Sequence, residues 1–141
     1  MDKDLEELGR SLKRAQYRQH RTADQALTAI GTTIVQWDAL RAIGAMPGAS
    51  AHDLAVATFQ TDQSFGTLGN RLAAQGLIER APGEGRRIEH RLTAKGEALL
   101  AKANLVTDRV RRELYSALSR EERKTLAVLL ERLIGPSPTD R

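Results

Sequence analysis

Apolar side chains recur along this chain at two different spacings, and the switch between them divides it into elements. Leu5, Leu8, Leu12 and Ala15 recur three and four positions apart, which predicts a helix over residues 4–28 with only Gly9 interrupting it. The stripe is narrow and the rest of the surface is charged, so this helix buries little alone and needs a partner. In "TIVQWDALRAIGAMPG", Ile34, Trp37, Leu40 and Ile43 share one face of a second helix, which Met-Pro-Gly stops. Ser50 followed by Asp53 is a helix-start pair, in which hydroxyl and carboxylate satisfy orphan backbone N–H groups, and a short helix over about residues 51–57 follows. "FQTDQ" reads as a turn, with Thr61 or Asp62 as the next cap. The following helix spans about residues 63–75, with Phe65, Leu68 and Leu72 inward and Gly76 ending it. Two short helices joined by a tight polar turn form the helix-turn-helix pattern.

Beyond Gly76 the spacing changes. "LIERA" and "IEHRLT" alternate in part and flank "PGEGR", which predicts a β-hairpin. Thr93 then caps a long helix to about residue 117, with Leu99, Ala103, Val106, Val110 and Leu114 as its stripe. Ser119 and Glu122 open a last helix, which carries Leu126, Leu129, Leu130 and Leu133 and ends at Gly135-Pro136. The expected fold is mainly α with a small β-hairpin wing. A winged helix-turn-helix core, residues 31–95, is flanked by an N-terminal helix, residues 1–30, and C-terminal helices, residues 96–134, with residues 135–141 as a disordered tail.

Composition narrows the partners. The 141 residues suit one domain, and with aromatics at 4% the core must be aliphatic. A net charge of +4 and a pI near 9.8 point to a polyanionic partner. The absence of cysteine excludes disulfides, thiolate zinc sites and thiol redox sensing. No apolar run approaches the ~20 residues that span a bilayer, and the N-terminus lacks an apolar leader, so no membrane association and a cytoplasmic location are expected. His20, His52 and His90 have no zinc spacing, and neither metal nor cofactor is expected. "GEGRRI" lacks the third small residue and the following helix of a dinucleotide fingerprint, and there is neither a Gly-x-Ser-x-Gly nor a Cys–His pair. An enzyme is therefore not expected.

The polar face of the second helix-turn-helix element carries the candidate chemistry. With Phe65, Leu68 and Leu72 inward, Gln63, Ser64, Thr67 and Arg71 share the opposite face. Gln reads adenine bidentately, Arg takes guanine or phosphate, and Ser and Thr bond base edges or phosphates. The alternative is a merely solvated face. Arg86 and Arg87 lie at the hairpin tip, where an arginine can enter a narrow minor groove. Arg80 and Arg91 at its base are expected to pair with Glu79 and Glu89 or to contact phosphate.

"NRLAAQGLIERAPGEGRRIEHRLTAKG" resembles the MarR family of transcriptional regulators, and the element order matches over roughly residues 4–134. The run is similar to the family's recognition-helix end, Gly-Leu-hydrophobic-x-Arg strand, wing and Leu-Thr-x-x-Gly helix start. Gln63, Ser64, Thr67 and Arg71 match the family's DNA-facing positions, and Arg86 matches its wing arginine. Glu84 stands where the family usually has Asp, so the resemblance implies a carboxylate that holds Arg86. Gly66 and Gly69 depart from the family pattern; they either permit close backbone approach or mark a less stable helix.

The resemblance implies a homodimer on a pseudo-palindromic operator, often a repressor released by a small aromatic ligand near the domain junction. Dimerisation would then use Leu5, Leu8 and Leu12 with Leu126, Leu129, Leu130 and Leu133. A junction pocket would draw on Tyr17, His20, Trp37 and Arg41, unless Trp37 is simply a core anchor. A different class remains open: a winged-helix module whose basic face docks an acidic protein.

Overall fold

The computed structural model describes residues 2–136, so Met1 and most of the expected tail, residues 137–141, lie outside the described residues. Six helices and one hairpin follow in the order α1 (Lys3–Thr28), α2 (Ile34–Ala45), α3 (Ala51–Ala57), α4 (Asp62–Ala74), β1 (Ile78–Pro82), β2 (Ile88–Leu92), α5 (Ala94–Tyr115) and α6 (Arg120–Ile134). Each helix begins on a side chain that accepts from otherwise orphaned N–H groups: Asp2, Thr33, Ser50, Thr61, Thr93 and Ser119. Ser50–Asp53 and Ser119–Glu122 close reciprocal capping boxes, as their spacing predicts.

Two cores form. The larger lies inside the winged helix-turn-helix, where Phe65, Leu40, Ile43, Leu54 and Leu72 are fully buried with Leu77 and Ile78. The smaller joins Leu27 of α1 and Trp37 of α2 to Ala103 of α5, and Leu100 packs against both. Asp24 Oδ1 of α1 accepts from Ile34 N at 2.8 Å and so fixes where α2 starts.

β1 and β2 pair antiparallel from Ile78 opposite Leu92 to Pro82 opposite Ile88. Pro82 falls at the strand end, where its missing N–H costs no ladder bond. His90 also bridges outward to Ala49, so the loop before α3 extends the hairpin by one residue pair.

The Leu-Thr-Ala-Lys-Gly run joins the hairpin to α4. Thr93 Oγ1 donates to the Gly76 carbonyl at 2.6 Å, and Lys95 Nζ donates to the Gln75 carbonyl at 2.8 Å. Both bonds satisfy carbonyls at the C-terminal end of α4. A Cβ on Gly96 would overlap the Leu77 carbonyl, so α5 can pass this close to the chain only with glycine there.

Candidate nucleic-acid interface and junction cleft

α4 presents Gln63, Ser64, Thr67 and Arg71 together on its exposed side, where they flank an open groove of about 470 Å³ with Val35, Gln60 and Leu68. The inward set of Phe65, Leu68 and Leu72 is buried as the 3.6-residue period requires. Ser64 Oγ donates to Gln60 Oε1 at 3.1 Å, and Thr67 Oγ1 donates to the Gln63 carbonyl at 3.2 Å. Arg71 makes no ion pair among the described residues, which leaves its guanidinium available to an external anion. Gly66 has no atom within 4 Å of an added Cβ, and Gly69 meets only Phe65 at 3.8 Å. Neither glycine is required by a close approach within the chain, and α4 runs through both without a break.

The wing differs from the sequence reading in how its charges pair. Among the described residues no ion pair joins Glu84 to Arg86. Glu84 supports the wing through its backbone: its carbonyl accepts from Arg87 N at 3.1 Å, closing the turn around Gly85 at φ +63°. The carboxylate that holds a wing arginine is Asp53 of α3, and the arginine it holds is Arg87. Arg87 Nη2 donates to Asp53 Oδ2 and to the Gly48 carbonyl, each at 3.2 Å. Hydrogen bonds from the Ser50 side chain and backbone, and then the nearby Arg87 charge, hold the Asp53 carboxyl below its ordinary pKa. Arg86, at the tip, is exposed and makes no ion pair among the described residues.

Arg80 does not pair with Glu79, because neighbouring strand residues point to opposite faces. It donates instead to Asn70 Oδ1 of α4 at 2.7 Å. Arg91 does approach Glu89, at 3.8 Å, two positions away on the same face. Sequence reasoning missed His90, which is buried, places Nδ1 3.0 Å from the Ala49 carbonyl and meets Phe65 edge to face. Its position between Glu89 and Arg91 in the alternating strand, on the face opposite those two charged residues, was the available signal. His52 lies at the exposed surface with Nδ1 2.9 Å from Asp62 Oδ1, linking α3 to the start of α4.

A second feature opens where α1, α2 and α5 meet the helix-turn-helix. This cleft of about 660 Å³ is lined by His20, Trp37, Arg41, Phe59, Ser64 and Arg111 among others. Trp37 is both a core anchor and a cleft wall. It is 9% exposed, donates from Nε1 to Asn104 Oδ1 at 2.9 Å, and carries the Arg41 and Arg111 guanidiniums 5.2 and 5.8 Å from its ring centre. Arg41 is paired with Asp38 at 2.6 Å, whereas Arg111 pairs with no acid among the described residues.

Tyr17 is not part of the cleft. Gln16, Gln19, His20 and Ala23 form the α1 stripe that lines it. Tyr17 lies about 100° around the helix from Gln16, is exposed and accepts from Arg21.

The expected dimerisation leucines lie at the far end of the molecule. Leu8, Leu12, Leu126, Leu129, Leu130 and Leu133 surround an apolar groove of about 620 Å³ between α1 and α6. Leu5 is 66% exposed and sits beyond the groove lining. α6 buries none of its residues in a single chain. Among the described residues no helix is long and apolar enough to cross a membrane, and no group of three metal-ligating side chains forms.

A helix-turn-helix with an arginine-bearing hairpin, carried between long flanking helices, defines a winged helix-turn-helix protein. Residues 30–88 match the model of the MarR family. The HTH-type transcriptional repressor Rv2887 of Mycobacterium tuberculosis is 28% identical over 110 residues, which cover 77% of this chain and 79% of the repressor. Its crystal structure with DNA superposes at TM-score 0.73 with 27% identity, over 89% of this chain and 96% of that one. Its complex with p-aminosalicylic acid superposes at 0.73 with 26% identity, over 91% and 98% of the two chains.

Proposed function

We propose that this protein is a homodimeric, sequence-specific DNA-binding transcriptional regulator that acts as a repressor in the cytoplasm. One observation carries the proposal: Gln63, Ser64, Thr67 and Arg71 share one exposed face of α4, on the helix that Arg80 joins to the wing through Asn70. α4 enters the major groove of double-stranded DNA and Arg86 reaches the adjacent minor groove. The solved complex of the related Rv2887 with DNA supports this reading. Residues 31–95 form the DNA-binding unit, and residues 1–30 with residues 96–134 form the dimer unit. In the dimer the leucine groove between α1 and α6 is covered by the same surface of a second copy. The two α4 helices then address half-sites about 34 Å apart on a pseudo-palindromic operator.

The junction cleft is the ligand site. Trp37 offers an aromatic face and Arg111 an uncommitted positive charge, which together suit a small aromatic carboxylate. The complex of Rv2887 with p-aminosalicylic acid is consistent with that class. Occupation of the cleft releases the DNA.

Selection of duplexes from random DNA, followed by fluorescence anisotropy at two salt concentrations, tests the DNA reading. Specific, salt-sensitive binding that Gln63→Ala and Arg86→Ala each weaken is expected. Retention that is only non-specific, and indifferent to both substitutions, would sink it and favour a protein-docking module.

A further inference from the structure

Phe59 lies in the turn between α3 and α4 at φ +57°, the one non-glycine residue in left-handed backbone among the described residues. Bulky side chains avoid this region, because the Cβ crowds the following carbonyl. The ring is also 97% exposed, so it gains nothing from burial in a core. Backbone strain and hydration both favour Gly or Asn at this position, and folding does not account for a phenylalanine. Its surroundings suggest another role: the ring stands at the cleft whose lining includes Trp37 and Arg111.

Side-chain hydrogen bonds connect the same turn to the DNA-facing helix. Thr58 Oγ1 donates to the Leu54 carbonyl at 2.7 Å, and Gln60 Nε2 donates to Thr58 Oγ1 at 3.0 Å. Ser64 Oγ then donates to Gln60 Oε1 at 3.1 Å. Thr58, Phe59, Gln60 and Ser64 all line the cleft, and Ser64 also belongs to the DNA-facing set.

We propose that Phe59 is the closing residue of the cleft: its ring folds over a bound aromatic anion, and the turn's movement passes through Gln60 to Ser64 and the DNA-facing side of α4. The inference rests on the reading of the cleft as a ligand site and names the residue that senses occupancy. A ligand shifts a conformational equilibrium only through contacts it makes in one state and not the other. Stacking beneath Phe59 is such a contact, because without ligand the ring is in water. Leaving the left-handed region also relieves the turn, so backbone strain favours the movement.

The chain has one tryptophan, Trp37, so its fluorescence reports the cleft directly. Full-length wild type, Phe59→Ala and Phe59→Gly are titrated with sodium salicylate, and each is assayed for release of a duplex selected from random DNA. Salicylate is expected to change Trp37 emission and lower DNA affinity in the wild type. Both variants should bind the duplex normally without salicylate, bind salicylate about fivefold more weakly and lose most of the release. Phe59→Gly suits the left-handed backbone and should keep the wild-type Tm, which removes misfolding as an explanation. Wild-type binding and release by both variants overturns the role of Phe59 and leaves the ligand site standing. A wild type whose Trp37 emission and Tm ignore salicylate overturns the ligand reading, and this inference with it.

Discussion

Arg87 bonds the Asp53 carboxylate at 3.2 Å across 34 residues of sequence, so the second wing arginine anchors the wing to α3, whereas the first, Arg86, makes no ion pair among the described residues. The two neighbours therefore separate by experiment. Arg86→Ala should leave Tm unchanged, weaken DNA binding and reduce the salt slope of log K by about 1. Arg87→Ala should lower stability by under about 1 kcal/mol, because both partners are half exposed. Salt-titrated anisotropy alongside thermal melts distinguishes them, and identical behaviour of the two variants would contradict the assignment.

Asp53 makes the wing anchor sensitive to acid. Its carboxyl is held below the ordinary aspartate value of 3.8, chiefly by hydrogen bonds from Ser50 and then by the Arg87 charge. A depressed folded-state pKa means that the stabilisation is present above 3.8 and is lost as pH falls below it through the folded value. Urea midpoints measured from pH 6 down to 3 should fall less steeply at the acid end in Asp53→Asn than in the wild type. Parallel curves would show that the carboxylate contributes nothing.

Gly96→Ala should damage the fold although the change is one methyl group. The added Cβ collides with the Leu77 backbone carbonyl, which cannot rotate away as a side chain would. A loss of about 2–3 kcal/mol is expected, the upper range for overpacking, and chemical denaturation measures it.

Gly66→Ala should act in the opposite direction. Nothing stands within 4 Å of the new methyl, and the residue is inside a continuous helix. Stability should rise by up to ~1 kcal/mol, seen as a Tm a few degrees higher. A lower Tm would mean that the surroundings of α4 are tighter than they are here.

Leu129→Glu places a charge in the groove between α1 and α6. Light scattering should report a monomer at concentrations where the wild type is dimeric, with DNA affinity falling because the two half-sites are no longer linked. A variant that stays dimeric and binds DNA normally would remove this groove from the interface.

The elements were legible in the sequence because their signals are local. Ser50–Asp53, Ser119–Glu122 and Thr93 cap helices where their spacing says they should, since a cap bonds N–H groups only two or three residues away. The α4 face was legible for the same reason: burying Phe65, Leu68 and Leu72 fixes where Gln63, Thr67 and Arg71 point. The charge partners were less legible. Glu84 and Arg86 are close in sequence, yet the turn at Gly85 joins Glu84 to the Arg87 backbone instead. Glu79 and Arg80 are adjacent, and strand alternation separates them.

Sequence by itself determined the helices, the hairpin, their order and the apolar stripes, because backbone sterics, capping and side-chain period act between near neighbours. Only the tertiary structure decided that Asp53 would meet Arg87, that His90 would be buried beneath the wing against Ala49, that Tyr17 would miss the cleft, and that Phe59 would stand exposed at its rim. Those outcomes depend on how α3, the wing and α5 pack across tens of residues. A few degrees of helix rotation or one residue of loop changes which side chains touch, and no local pattern records it.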